Sequence, residues 1–177
     1  IKHAIFPQTE QLFSFDQNDQ IQEAIPRDRE QNILFGIRPC DARSFSLLDS
    51  VFAGDIPDPY YLARRDNTIL IGVACIEPFA NCFCTSVGGN PCGRDGLDLL
   101  CTDLGDRYLV AVFSEKGKEL INKTASLFTK PSAEDMKQGQ ELAHKSERAV
   151  KRHIDLNGIT DTLARIFEHP VWKKITL

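Results

Sequence analysis

Three cysteines fall within ten consecutive positions of this chain, in the stretch GVACIEPFANCFC at residues 72 to 84. They are Cys75, Cys82 and Cys84, and a fourth, Cys40, follows an apolar run earlier in the sequence. Thiolates are soft ligands, and four of them that converge on one place can hold a zinc ion or an iron–sulfur cluster. The residue types and their spacing therefore indicate a metal centre, provided that the fold brings position 40 next to positions 75 to 84.

A βαβ unit is predicted to bring these positions together. The apolar runs NILFGI at residues 32–37 and TILIGVA at residues 68–74 are typical of buried parallel strands, and the apolar period of residues 42–52 indicates a helix between them, with Asp41 as its N-cap. Parallel strands of one βαβ unit end at the same edge of the sheet, where open α/β sheets form their ligand sites. We therefore expect Cys40 and Cys75, which follow the two strands, to lie at one edge.

Outside this unit, apolar periodicity and turn residues predict the remaining elements. Before and within the unit they are two short strands within residues 4–15 with a turn near Pro7, a polar loop with a partial helix over 18–31, and a short helix after the prolines of 54–67. After it come a glycine-rich loop over 85–96, a β-hairpin over 97–113, and a helix over 114–128 that is capped by Ser114 and buried through its leucines, isoleucine and Phe128. A polar helix over 132–153 follows, and an amphipathic helix over 161–175 begins after a break at Asn157 and Gly158. The predicted fold class is α/β, with a βαβ-containing mixed sheet, flanking helices and a helical C-terminal extension. We expect an α/β cysteine-bearing core domain over 1–130 and a helical extension over 131–177.

Composition narrows the class of protein. With 177 residues and 42% hydrophobic residues, the chain can bury a core without disulfides, and its irregular cysteine spacing favours reduced thiols over a disulfide framework. The net charge of −4 argues against nucleic acid as a partner. No apolar run approaches the roughly 20 residues that span a bilayer, so a cytoplasmic protein with no membrane span is predicted. The first residue is Ile rather than Met, which we interpret as a sign of a longer parent protein.

Residue chemistry favours an iron–sulfur cluster over zinc and leaves zinc as the alternative. Structural zinc sites use two close pairs of the C-x(2–4)-C type, whereas this chain has a single close pair, Cys82 and Cys84. A 4Fe–4S cluster spreads its irons over four corners and accepts more scattered ligands. A structural zinc-binding or scaffolding domain stays open, as does an enzyme that uses Cys40 as a nucleophile at a helix N-terminus, although no histidine lies near it in sequence.

Several neighbouring residues could adjust such a centre. A cluster with four thiolates is negatively charged, and five arginines fall in or near the segments of this edge: Arg38, Arg43, Arg64, Arg65 and Arg94. Arg38 and the backbone N–H groups of Gly88 and Gly89 are predicted to bind the cofactor and raise its reduction potential. The other two cysteines rank lower, because Cys101 lies in an apolar strand pattern typical of core and Cys92 is only a fifth candidate ligand.

Three segments carry a resemblance to a known family. They are GIRPCDARSFSLLDSVF, DPYYLARRDNTILIGVACIEPFANCFC and GLDLLCTDLGDRYLV, with RPCD and C-x6-C-F-C as the strongest pieces and FEHPVWKKI as a weaker extension. The sequence resembles a family of iron–sulfur electron-transfer proteins. That family includes the electron-transfer component of anaerobic sulfite reductase and the beta subunits of cytosolic NiFe hydrogenases and sulfhydrogenases.

The resemblance implies a role in electron transfer. By motif it makes Cys40, Cys75, Cys82 and Cys84 the ligands of a 4Fe–4S cluster, and it implies partner subunits that carry a flavin, a siroheme or a NiFe centre. Family members carry a ferredoxin-like region with two further clusters after the C-terminal tryptophan helix, so we interpret the chain as a fragment without that region. Because no residue is an obvious acid, base or nucleophile, the domain is expected to relay electrons rather than transform a substrate. The polar helix over 132–153 is a candidate docking surface for a partner subunit.

Overall fold

The chain folds around a four-stranded mixed sheet, seen here in a computed structural model that describes residues 5–18, 20–25 and 31–175. The strands are β1 (Phe13–Phe15), β2 (Ile21–Glu23), β3 (Asn32–Ile37), β4 (Thr68–Val73), β5 (Leu99–Asp103) and β6 (Tyr108–Val112). The helices are α1 (Pro39–Phe52), α2 (Pro59–Asp66), α3 (Glu115–Lys123), α4 (Ala133–Ala149), α5 (Ile159–Arg165) and α6 (Trp172–Ile175), with 3-10 turns at Cys84–Val87 and Ala125–Leu127.

The sheet has the order β3-β4-β5-β6. Strands β3 and β4 are parallel neighbours, β5 lies parallel to β4, and β6 closes the sheet as an antiparallel neighbour of β5. The predicted βαβ unit, the hairpin over 97–113 and the mixed α/β fold class are therefore confirmed. Because β3 and β4 run in the same direction, the residues that follow them leave the sheet at one edge.

Helices cover both faces of the sheet. On one face, α1 and α2 contribute Phe45 and Tyr61 to a buried core that includes Ile37, Leu70 and Leu100. On the other face, α3 packs its apolar side on a second core. That core is formed by the buried residues Ile69, Ile71, Leu99 and Cys101, with Leu120 and Ile121 of α3 packed against them. Helix α4 lies against β6, where its Gly139 leaves room for the Leu109 side chain. The sheet is thus held from both sides, and its carboxyl edge is left for the cysteine loop.

Strand β3 is less buried than the sequence predicts. It is the edge strand, paired only with β4, and its Ile33 and Phe35 side chains are 48% and 69% exposed. The prediction of a buried strand was wrong, because an edge position supplies one neighbour and α3 covers the strands farther along the sheet.

The N-terminal region differs from the prediction in two places. Ile5 and Phe6 lie outside any strand, whereas Phe13–Phe15 is a strand as expected. It pairs antiparallel with Ile21–Glu23, in a stretch predicted as loop and partial helix. Residues 26–30 of that stretch, like position 4, lie outside the described residues. Pairing with a neighbouring strand has overridden the polar composition here.

Helix starts follow their capping chemistry. Helix α1 begins at Pro39, with Arg38 at the N-cap position but without a side-chain capping hydrogen bond, so the predicted N-cap Asp41 lies in its first turn instead. Proline fixes φ near the helical value and needs no N–H at this position, which explains the earlier start. Ser114 caps α3 as predicted by accepting a hydrogen bond from the Gly117 N–H. Helix α4 starts after Ser132, which forms a capping box with Asp135.

The C-terminal helices are shorter than predicted. Leu127 and Phe128 follow α3 in and after a 3-10 turn and are exposed, so they do not belong to its buried side. The last helix is two helices, since α5 already ends at Arg165 and the chain restarts as α6 at Trp172, two positions after Pro170. The break before α5 is confirmed at Gly158, whose φ of +62° favours glycine.

Candidate metal centre

Four cysteines meet at one cavity beyond the carboxyl ends of β3 and β4. Cys40 lies in the first turn of α1, directly after β3, and Cys75 lies two positions past the end of β4. Cys82 and Cys84 come from the loop that follows. All four line a single open cavity of ≈ 780 Å³, together with aromatic and apolar side chains that include Leu47, Phe79, Phe83 and Val87. The structure thus brings together the four residues that the sequence selected.

The four thiols are close enough to act on one another electrostatically. The charge of Cys40 acts on Cys84, and that of Cys75 acts on Cys40. Cys82 acts on both Cys75 and Cys84. Negative charge on one of the four sulfurs therefore disfavours negative charge on its neighbours. A positively charged metal centre bound between them would offset this repulsion.

The cavity raises the pKa of its thiols. Burial is the main cause of the raised pKa of Cys40, and the Asp41 carboxylate raises it further. Burial also raises the pKa of Cys75, against the opposing effect of the Arg38 guanidinium, which hydrogen-bonds its sulfur. The pKa of Cys84 is raised first by burial and lowered in part by a hydrogen bond from the Thr85 backbone. At neutral pH these groups are mostly protonated until a cation replaces the protons.

Backbone hydrogen bonds hold the cysteine loop in place. The Cys75 N–H donates to the Pro91 carbonyl at 2.9 Å, and the Cys82 N–H donates to the Phe79 carbonyl at 2.9 Å. The loop returns to α1 at Gly96, where a Cβ would lie 2.2 Å from the Ala42 carbonyl oxygen, so only glycine allows this approach. The cysteine loop is thereby fixed by main-chain geometry, and its returning end is fixed against the helix that carries Cys40.

Arg43 bridges the helix and the loop. It lies three positions after Cys40 and therefore on the same side of α1. Its guanidinium donates to the Val87 carbonyl and lies 3.8 Å from an Asp95 carboxylate oxygen. From the sequence, Arg43 was only one of five arginines near the cysteine segments, and its i+3 spacing from Cys40 is the signal that could have singled it out.

Gly88 and Gly89 make room for this bridge. A Cβ at Gly88 would lie 3.4 Å from one guanidinium nitrogen of Arg43, and a Cβ at Gly89 would lie 3.4 Å from the other. Their N–H groups donate to the carbonyls of Thr85 and Cys84, respectively. Hydrogen bonds from these amides to a cluster stay a prediction, whereas the room they leave for Arg43 is visible in the structure.

The remaining arginines near the cysteine segments differ in their partners. Arg38 stands beside Cys75, as predicted for a residue that adjusts the centre. Arg64 and Arg65 instead pair with Glu10 and Asp49 and tie α2 to the N-terminal segment and to α1. These two arginines stabilise the fold rather than the cavity.

Cys92 and Cys101 stand apart from the four cavity thiols. Cys101 is buried in β5 as predicted, and Cys92 lies with its sulfur 3.5 Å from the hydroxyl of the fully buried Ser146. All six cysteines are free thiols, so none forms a disulfide. Within the described ranges, no group of three or more His, Cys, Asp or Glu side chains is arranged to hold a metal ion.

The C-terminal segment is attached to the cysteine loop. The Ile154 N–H donates to the Ser86 hydroxyl at 2.9 Å, and His153 Nδ1 lies 3.5 Å from the same oxygen. Ser86 belongs to the 3-10 turn that begins at Cys84. Together with the contact between Cys92 and Ser146, this bond connects the cysteine loop to α4 and the segment after it. Local sequence patterns could not signal these contacts, because they join positions more than 50 residues apart.

The sequence is similar to that of a known hydrogenase component. Over 142 residues, which are 80% of this chain, it is 36% identical to Sulfhydrogenase 2 subunit beta of Pyrococcus furiosus. The chain is homologous to this beta subunit. It spans 42% of the relative's length. The predicted resemblance to hydrogenase beta subunits is thus supported, whereas the resemblance to anaerobic sulfite reductase stays a prediction.

Two further comparisons found no match. No protein-family model matches the chain, and no solved structure matches it.

The helices also bear on membrane insertion. Among the described residues, every helix is too short or too polar to cross a bilayer.

Proposed function

We propose that this chain is the electron-transfer part of a hydrogenase-type beta subunit, in which Cys40, Cys75, Cys82 and Cys84 bind a 4Fe–4S cluster. The observation that carries the proposal is the convergence of these four thiols on one cavity. Homology to a sulfhydrogenase beta subunit supports the same interpretation and a role as an oxidoreductase component.

The donor set fits an iron–sulfur cluster better than a single zinc ion. Four thiolates are the usual ligands of a 4Fe–4S cluster. A zinc ion needs its four ligands drawn to about 2.3 Å from one point, whereas these cysteines border an open cavity of ≈ 780 Å³. Cysteines placed around such a cavity can each bind a separate iron corner of a 4Fe–4S cluster.

The geometry does not favour Cys40 as an enzymatic nucleophile. A nucleophilic cysteine needs a lowered pKa and a nearby base. The pKa of Cys40 is raised by burial and by Asp41, and no histidine of the described ranges lines the cavity. The proposed role is therefore ligation.

The residues around the cavity support electron transfer in distinct ways. A bound cluster would supply reversible one-electron chemistry. Arg38 places a positive charge beside Cys75, which stabilises added negative charge, and Arg43 keeps α1 and the loop at a fixed separation. Phe79 and Phe83 add apolar surface to the cavity wall.

The whole-protein role extends this proposal. We propose a core domain over 1–130, a helical extension over 131–177 and a ferredoxin-like region beyond it in the parent protein. The partners would be flavin-containing and NiFe- or siroheme-containing subunits in the cytoplasm, and the chain would pass electrons between them. The polar helix α4 is a less accessible docking surface than the sequence indicated, since its Gly139 packs against Leu109 of β6 and its Ser146 is fully buried.

Anaerobic metal analysis tests the proposal. The chain is loaded with iron and sulfide without oxygen, and iron, acid-labile sulfide and zinc are counted per chain. We expect four irons and four sulfides, with the broad visible absorbance of thiolate–iron bonds. Serine replacement of Cys40, Cys75, Cys82 or Cys84 should lower the count.

The two remaining cysteines provide matched controls. Cys101→Ser and Cys92→Ser alter thiols outside the cavity, so they should leave the iron count unchanged. One zinc per chain with no iron, or loss of iron in Cys92→Ser to the same extent as in Cys82→Ser, would contradict the proposed ligand set.

A further inference from the structure

Strand β3 leaves its outer side unpaired. It lies at the edge of the sheet, and among the described residues β4 is its sole strand neighbour. All six residues of β3 are uncharged, and none of them is proline. Natural proteins usually protect an edge strand from pairing with another chain by charged side chains, prolines or bulges. The one such feature here is a register shift after Phe35, so the regular part of the strand before it can accept a further strand.

The main-chain groups of Ile33 and Phe35 point away from the sheet. In a parallel ladder, alternate residues of one strand bond to the same neighbouring strand. The Asn32 N–H donates to the Asn67 carbonyl at 2.9 Å, so Asn32 and, two positions on, Leu34 bond towards β4. The N–H and C=O groups of Ile33 and Phe35 therefore face outward, as two donors and two acceptors at the free edge.

The side chains of Ile33 and Phe35 extend an apolar face beyond the helix that covers it. Their register partners on β4 are Ile69 and Ile71, which are buried in the core beneath α3. Directly paired residues of neighbouring strands share one face of the sheet. Ile33 and Phe35 thus lie on this same face, yet both are exposed. A strand added beside β3 would cover apolar surface that α3 leaves open.

We propose that β3 is a dimer interface, at which it pairs antiparallel with β3 of a second copy around a two-fold axis at Leu34. The register follows from the outward groups, because two antiparallel residues that exchange a pair of hydrogen bonds must both face the gap between their strands. Ile33 then lies opposite Phe35 of the second copy, and Phe35 lies opposite the second copy's Ile33. Each of these two pairs forms two main-chain hydrogen bonds, and two four-stranded sheets become one of eight strands.

The self-complementary nature of β3 favours a second copy over an unrelated strand. Because β3 is uncharged, self-pairing sets no like charges against each other. The two-fold axis places an isoleucine against a phenylalanine twice on the apolar face, and it uses up the free edge of both copies in one closed contact. The carboxyl ends of the two β3 strands point in opposite directions, so both cysteine cavities stay open. This inference goes beyond the proposed electron transfer and does not require a bound cluster.

Sedimentation velocity and amide hydrogen exchange test the interface. The full chain, kept reduced and metal-free so that neither disulfides nor a cluster contribute, is measured over a dilution series. We expect an equilibrium between monomer and dimer, in which the Ile33 and Phe35 amides exchange more slowly as the concentration rises. The Leu34 amide bonds to β4 and is the internal control, which should exchange slowly at every concentration.

Two variants address the main-chain and side-chain parts of the contact. Ile33→Pro removes an outward N–H from each copy and no bond to β4, so two of the four hydrogen bonds are lost and the Kd of the dimer should rise about tenfold or more. Phe35→Lys places a charge at the paired edge and should abolish the dimer. Ile56→Lys makes the same change of charge at an exposed position outside the sheet and should leave the Kd unchanged. Melting curves show whether each variant is folded, and Phe35→Lys decides the test if Ile33→Pro is not.

Three results would overturn the inference. One is a chain that stays monomeric at every concentration. Another is a dimer in which the Ile33 and Phe35 amides exchange rapidly, or one that Phe35→Lys leaves intact, since its interface would lie elsewhere. The third is association that continues beyond the dimer, because the two-fold register leaves no free edge at β3.

Discussion

At the scale of single residues, the cavity combines raised thiol pKa values with a positive charge at one ligand. Arg38 acts on Cys75, and Asp41 acts on Cys40 in the opposite sense. The sequence identified the four cysteines and Arg38, because residue type and position after apolar runs carry that information. It could not identify Arg43 as the bridge, since that role depends on where Val87 and Asp95 return to α1.

Replacing Arg38 tests its electrostatic role. Arg38→Gln keeps a hydrogen-bond donor and removes the charge, so the reduced and more negative cluster is less stabilised. The reduction potential should fall on the order of tens of millivolts, measured by EPR-monitored redox titration. Arg94→Gln removes a charge that, unlike that of Arg38, does not act on Cys40, Cys75 or Cys84, and it should leave the potential unchanged. An unchanged potential in Arg38→Gln with a full iron count would refute the assigned role.

The raised thiol pKa values predict a pH dependence of stability in the metal-free chain. For Cys40, Cys75 and Cys84, the folded-state pKa lies above the ordinary value. The folded state then holds the proton more tightly than the unfolded chain. The resulting stabilisation is complete below the unfolded pKa of about 8.5 and is lost as pH rises through the folded pKa.

Melting temperatures measured from neutral to alkaline pH check this sign. The metal-free chain should melt at lower temperature as pH rises above about 8.5. The triple variant with serine at positions 40, 75 and 84 should show a flatter profile. A melting temperature that rises over this range would contradict the direction of the pKa shifts.

At the scale of elements, one buried carboxylate joins two strands and a helix. Asp98, directly before β5, accepts a hydrogen bond from the Leu70 N–H of β4 at 2.7 Å and another from the Ser114 hydroxyl. The same serine caps α3. The sequence predicted these elements because local periodicity specifies them, but the carboxylate that connects them was not foreseen, since its partners lie 28 and 16 positions away.

Removing this carboxylate should destabilise the fold. Asp98→Ala leaves the Leu70 N–H without its acceptor, which costs about 1–3 kcal/mol of the free energy of unfolding. Urea denaturation measures the loss. Asp106→Ala, at an exposed position, is the matched control and should change stability by less than about 0.5 kcal/mol. Equal effects of the two substitutions would argue against the structural role of Asp98.

At the scale of the whole molecule, the C-terminal segment and the cysteine loop form one connected unit. Ile154 bonds Ser86 near Cys84, and Ser146 of α4 contacts Cys92. The sequence predicted the polar helix and its start, and its polar composition indicated a candidate docking surface for a partner subunit. Its packing against β6 depends on Gly139, whose small size is informative only once Leu109 is known to face it.

The bond at Ser86 gives a prediction for this connection. Ser86→Ala removes the acceptor of the Ile154 N–H, so that amide should exchange hydrogen faster, with stability lowered by about 1 kcal/mol. Hydrogen exchange followed by NMR reads out the single amide. Ser50→Ala removes a hydroxyl that bonds within α1 and should leave the exchange of Ile154 unchanged. Unchanged exchange in Ser86→Ala would show that the segment is held by other contacts.

Anomalous diffraction at the iron absorption edge, from crystals of the anaerobically loaded chain, tests the ligand set most directly. The account predicts one compact iron peak within the cavity, bounded by the sulfurs of Cys40, Cys75, Cys82 and Cys84. An iron peak bound by Cys92 or Cys101, or a cavity that holds zinc at a single point, would contradict it.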